Sequence, residues 1–327
     1  MKNMTEKTKP PSFNDLFSTW EANTLAELSA STHRRYRAVF GRFVSWFTQM
    51  EQRPPTLDDL HPITLVGYRG MLQETDATST VNTHLSALRT WCEWLTQQGF
   101  LDANPALRLK LAGRTEDPAP SALEPKQVNA LLRAAQQTRY PLRNNAVLQM
   151  MIQTGIRIGE CASLQWGDVE MSERKGVVRI RAGKGNKTRT VPLNQSARQA
   201  VAEYAALRLE VDSTVKTVAA AWRNVNDPSP LWKSERDNPL SLREISRMIQ
   251  HIIQQCASLG QVSADATAHS LRHTFATRYL IRHPGDLVGL ARLLGHRSIH
   301  TTQIYVQPTA EEMARRVSQI DLNAYAQ

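Results

Sequence analysis

The chain has 327 residues, 41% hydrophobic and 21% charged, the balance of an ordinary folded protein with room for two domains. No stretch approaches about 18 apolar residues, which argues against a membrane-spanning helix, and the polar N-terminus lacks the apolar core of a signal peptide. The formal charge is +10 and unevenly spread: residues 1–122 hold 13 basic and 13 acidic side chains, residues 123–327 hold 27 and 17. An excess confined to one part of a chain points to a polyanion, most often nucleic acid, or else is a plain solubility charge. Cys92, Cys161 and Cys256 lie far apart and form no CxxC pair. They read as buried free thiols of a reducing compartment.

Residues 1–11, polar with two prolines, read as a disordered lead-in. Four helices follow. The first runs from Phe13 to about Ala26, with Phe13, Leu16, Phe17 and Trp20 on one face. The second, Ser31 to Met50, carries Tyr36, Val39, Phe40, Phe43, Trp46 and Phe47 at the spacing of a buried stripe. That stripe is core rather than a platform for stacking bases. Near its start, Arg34, Arg35 and Arg37 either form a solvated face or touch phosphates. Positive charge at a helix N-terminus opposes the macrodipole and gains little by itself, which favours phosphate contact. After Pro54-Pro55, Thr56 with Asp59 resembles an N-cap for a third helix, Asp58 to about Glu74. The fourth spans Thr78 to Gln98 and stops at Gly99.

Residues 111–122 lose hydrophobic periodicity and read as a domain linker. Pro125 suits the first turn of the next helix. The helix after it, about Arg143 to Thr154, is apolar nearly all round and belongs at the centre of its domain. It ends at Gly155. Arg157 follows among apolar neighbours, where it either pairs with Glu160 or Asp168 or points into a polar site. Residues 176–194 read as a β-hairpin whose turn, Gly183-Lys184-Gly185-Asn186-Lys187, projects Lys184. Helices are expected over 195–211, from Ser241 to about Leu259, His269 to His283, Leu287 to Leu294, and 310–321. Residues 212–238 read as irregular.

His269 and Arg272 are three apart and share a helix face. His296 follows the helix stop Gly295, and Tyr305 comes nine residues later. A tyrosine near two histidines and an arginine can be a covalent nucleophile with its charge stabilisers. Taken singly, each histidine is more often structural and a tyrosine more often a packing residue. The histidines, cysteines and carboxylates show no metal-ligand spacing, so neither a metal nor a cofactor is expected.

In order, the basic part offers Arg157, Lys184, His269, Arg272, His296 and Tyr305. With TGIRIGECASLQWGD around Arg157, GKGNKTRTVPL around Lys184, HSLRHTFAT, and LLGH at His296, the chain resembles the tyrosine recombinase (phage integrase) family, Xer-like members included. The likeness spans about residues 12–310. It implies a mainly α fold with a small antiparallel β-sheet or hairpin. A four-helix, SAM-like core-binding domain would occupy 12–110, and a catalytic domain 123–310. The tail at 311–327 would either pack on its own domain or reach a neighbouring protomer.

The resemblance also implies a mechanism. Arg157 and Arg272 clamp the scissile phosphate, and Tyr305 attacks it to leave a 3′-phosphotyrosyl link. Lys184 protonates the departing 5′-oxygen, His269 assists proton transfer, His296 binds the phosphate and Glu160 buttresses the site. Arg34, Arg35, Arg37, Lys187 and Arg189 are the expected DNA contacts. The implied partner is a double-stranded DNA recombination site, bound by a dimer per site and a homotetramer per Holliday junction, with accessory DNA-bending proteins as possible helpers. The expected location is the bacterial cytoplasm, at the nucleoid. A catalytically inactive architectural DNA-binding factor and a type IB topoisomerase are the competing readings.

Overall fold

A computed structural model describes residues 12–24, 30–113, 122–181, 188–222 and 228–296. The chain divides into two compact units, Met1–Asp117 and Pro118–Gln327. Among the described residues, no helix is long and apolar enough to cross a membrane.

The first unit holds four helices: α1 (Phe13–Thr24), α2 (Ala30–Glu51), α3 (Pro62–Thr75) and α4 (Thr78–Gln97). Their apolar stripes meet in one aromatic core. Phe13 meets the edge of Trp91 with ring centroids 4.8 Å apart, and Phe43 meets Tyr68 at 5.1 Å. Edge-on pairs of this kind add to the burial of the rings themselves.

The third helix starts later than expected. Asp59 accepts from the Thr56 amide at 2.7 Å, but the cap serves only a single 3-10 turn, Leu57–Asp59. Pro62 lacks an N–H and forces His61 into an extended conformation, so α3 begins at the proline. The expected linker also begins later than residue 111. Arg89 donates to the carbonyls of Ala106 and Leu109, and the Asn82 side chain both donates to and accepts from the Ala112 backbone, at 3.1 and 2.8 Å. Residues 106–112 are thus held along α4. Residues 114–121 lie outside the described residues.

The second unit contains α5 (Pro125–Gln136), α6 (Pro141–Thr154), α7 (Ile158–Ala162), β1 (Val169–Met171), β2 (Gly176–Ile180), β3 (Arg189–Pro192), α8 (Gln195–Leu209), α9 (Val215–Trp222), α10 (Leu242–Ser258), α11 (Ala268–Arg282) and α12 (Leu287–Leu294). The helix expected at the centre is there: α6 is buried from Asn144 to Leu148 and again at Met150 and Met151. It packs against α5, α8 and α11. Truncating a fully buried Leu148 or Met150 to alanine costs about 2–5 kcal/mol.

The sheet is antiparallel in the order β1-β2-β3, with Val178 opposite both Val169 and Val191. Both arms of the expected hairpin are present, and β1 adds a strand that three residues of pattern could not announce. The stretch read as irregular contains α9. Val218, Ala219 and Trp222 are its buried face, and Trp222 lies with its ring centroid 4.1 Å from that of Trp166. Flanking Asn, Asp and Ser residues masked a helix of only two turns.

Candidate active site

Three helix ends and one strand meet at the site. Helix α6 stops at Gly155, which adopts φ +65°. A side chain there would meet Phe275 and come within 2.9 Å of Leu294, so both the angle and the space require glycine. Helix α11 is capped by Thr267, whose hydroxyl accepts from the His269 amide at 3.2 Å. Helix α12 ends in a left-handed Gly295, after which the His296 amide turns back to the Ala291 carbonyl at 3.0 Å. That closure aims the His296 ring inward.

Arg272 is 2% exposed and is the centre of the arrangement. It donates to the carbonyl of Gly155 at 2.7 Å, to that of Leu294 at 2.8 Å and to Nε2 of His296 at 2.9 Å. The negative end of the α12 dipole lies at Leu294, so a guanidinium is favoured there. Arg157 reaches the same carbonyl at 3.4 Å. Its amide and one guanidinium nitrogen also donate to Glu160, at 2.7 and 3.0 Å. The alternative partner, Asp168, is engaged by Arg181 at 2.7 Å. Arg157 keeps 44% of its side chain exposed.

Both histidines are held neutral. Burial, then the charges of Arg272, Arg157 and Arg189, push His296 down to about 4. An arginine has no acceptor, so Nε2 accepts and the ring proton sits on Nδ1. His269 is also lowered, first by burial and then by Arg272 and Arg157. Burial of Glu160 alone would raise its carboxyl. The bonds from Arg189 and the Arg157 amide, with both positive charges, outweigh it and hold the group at about 2.

Of the expected site residues, Arg157, Glu160, His269, Arg272 and His296 come together. Lys184, Lys187 and Tyr305 lie outside the described residues, as does the expected helix at 310–321. Arg34 and Arg35 are exposed on α2 in the other unit. Arg37 donates to Glu21 at 2.7 Å and stays 68% exposed. Arg189 is different from Arg34, Arg35 and Arg37. It turns inward, with 10% of its side chain exposed, and grips both oxygens of Glu160 at 2.9 and 2.7 Å. A signal for this was available: Arg189 shares strand parity with Val191 and Leu193, both buried. Among the described residues, no three His, Cys, Asp or Glu side chains gather as metal ligands would.

Residues 121–312 match the model of the phage integrase family. The chain belongs to that family. It is a tyrosine-type site-specific recombinase. A tyrosine recombinase XerC from Rhodospirillum centenum is 32% identical over 298 residues, covering 88% of this recombinase and 81% of that one. Another XerC, from Thermodesulfovibrio yellowstonii, is 29% identical over 279 residues, covering 85% of each. Among solved structures, the Tn1549 transposon integrase in complex with transposon right end DNA superposes with a TM-score of 0.70 at 16% identity, over 93% of this chain and 97% of that one. The XerH site-specific recombinase bound to difH substrate gives 0.67 at 19% identity, over 93% and 84%. At such identities the likeness is one of fold, and it covers the helical architecture with its small sheet.

Proposed function

We propose that this recombinase cuts and rejoins DNA through Tyr305, with Arg157, Arg272 and His296 holding the scissile phosphate. The observation that carries the reading is the convergence of two guanidiniums on the Leu294 carbonyl, with a neutral imidazole bonded to one of them. Such a patch suits a phosphate whose non-bridging oxygens gain charge as a fifth oxygen adds to phosphorus. The Tyr305 oxygen forms a bond to phosphorus and loses its proton, and His269 is the residue assigned to assist that transfer. The bond from phosphorus to the 5′-oxygen breaks, and Lys184 gives that oxygen its proton. A 3′-phosphotyrosyl link and a free 5′-hydroxyl result. The bond energy is conserved, so the reverse step rejoins DNA without ATP.

In this reading residues 12–110 form a core-binding domain, 123–310 the catalytic domain, and 311–327 a contact between protomers. The partner is a duplex recombination site, as in the DNA complexes of the Tn1549 integrase and XerH. Two protomers bind each site, and four exchange strands through a Holliday junction. Arg34, Arg35, Arg37 and Lys187 contact phosphates, which makes affinity fall with salt. The test uses a nicked duplex whose site is selected from random DNA by the protein's own binding. Wild type should become covalently attached to it, and Tyr305→Phe should bind it without attachment.

A further inference from the structure

Glu160 presents a hazard to the site it supports. It is a carboxylate beside the proposed phosphate position, and the Arg157 amide and one Arg157 guanidinium nitrogen donate to it. An unopposed carboxylate draws a guanidinium into a two-nitrogen fork, the preferred geometry of the pair. Arg157 would then be turned away from phosphate, and the carboxylate's charge would repel what the arginines attract.

Arg189 occupies the position that prevents this. Its two terminal nitrogens take Oε1 and Oε2 of Glu160, while its Nε donates to the Leu293 carbonyl at 2.8 Å. Arg157 is left with one guanidinium nitrogen on Glu160, and its Nε and second terminal nitrogen have no partner among the described residues. The Leu293 bond also ties β3 to the last turn of α12, one residue before the carbonyl that receives Arg272. Gly295 makes room for this: a Cβ there would lie 2.7 Å from an Arg189 terminal nitrogen.

We propose that Arg189 is a positioning residue of the strand-cleavage site: by satisfying both oxygens of Glu160 it keeps Arg157 available to the phosphate, and by holding Leu293 it fixes the helix end that seats Arg272 and His296. The inference rests on the reading of Arg157 and Arg272 as the phosphate clamp.

The test compares single-turnover cleavage at saturating protein on two versions of the selected nicked duplex. One has an ordinary scissile phosphate. The other has a methylphosphonate, in which a methyl group replaces one non-bridging oxygen and the linkage is neutral, which lessens the need for the clamp. On the ordinary duplex, Arg189→Gln should cleave about 100-fold more slowly, the cost of a misplaced catalytic group. Its DNA affinity should change by less than about 3-fold, as for a side chain that meets no DNA. On the methylphosphonate the deficit should shrink to less than about 10-fold, and in a Glu160→Gln background it should shrink similarly, because the two residues act as a pair. Arg189→Lys keeps the charge without the fork and should fall between Gln and wild type.

A deficit equal on both duplexes and in both backgrounds would overturn the inference in favour of plain structural support. Unchanged cleavage at saturation, with weaker binding and a salt slope reduced by about one, would overturn it in favour of a phosphate contact. Arg157→Ala is the control for the underlying reading. Its own deficit should also shrink on methylphosphonate; if it does not, the clamp itself is refuted and the role of Arg189 falls with it.

Discussion

The nitrogen of Arg272 that donates to the Leu294 carbonyl also donates to His296 Nε2, at 2.9 Å. One side chain therefore joins the end of α12 to the imidazole and selects the tautomer of the ring. Because Arg272 is nearly fully buried, its geometry is set before DNA arrives. Preorganised donors of this kind need no rearrangement when charge develops on the phosphate.

Arg272→Lys tests whether the fork, rather than the charge, matters. A lysine offers a point charge and cannot span the Gly155 and Leu294 carbonyls. Cleavage should fall by about 10²–10³-fold, the usual loss of a preorganised donor. The protein should also melt earlier, since a buried carbonyl left without a donor costs about 1–3 kcal/mol. Cleavage within a few fold of wild type would show that charge alone suffices.

Acid should weaken the fold in two successive windows. His296 in the unfolded chain takes a proton near its ordinary 6.5, whereas the folded ring refuses it until about 4, so stability falls as pH drops through that interval. Glu160 is held at about 2 against an ordinary 4.5; its contribution is complete above 4.5 and is lost as pH falls toward 2. Urea midpoints measured against pH should flatten in the upper window for His296→Gln and in the lower one for Glu160→Gln. Identical curves for wild type and both variants would contradict these assignments.

Gly155→Ala combines a left-handed backbone with a blocked space against Phe275 and Leu294. It should destabilise the second unit by about 2 kcal/mol or more, above the ordinary range for a change of one methyl. Thermal unfolding of the variant measures this directly. A melting temperature equal to wild type would mean that α6 and α11 can part at little cost.

Much of this architecture was legible in the sequence because long amphipathic helices repeat their signal. The stripe from Tyr36 to Phe47 and the apolar run through Val147 and Met151 lie in α2 and α6 as expected. Short elements were not legible: β1 has three residues, and α9 has eight. Thr56 showed a real cap but not which helix it opens, because Pro62 restarts the chain six residues later. At the site, residue types and order pointed to Arg157, His269, Arg272 and His296. The carbonyls of Gly155, Leu293 and Leu294 leave no trace in residue identity, since every residue carries one. Arg189 was read by its charge, whereas its strand parity with Val191 places it inside.

The central claim is that Tyr305 becomes covalently joined to DNA, and the most direct measurement is a denaturing gel of protein incubated with the selected nicked duplex. Labelled at the 3′-phosphate side of the break, the DNA should co-migrate with wild-type protein, and Tyr305→Phe should leave it free while retaining native-gel binding. Covalent attachment by the Tyr305→Phe variant, or none by wild type on a site it demonstrably binds, would contradict the account.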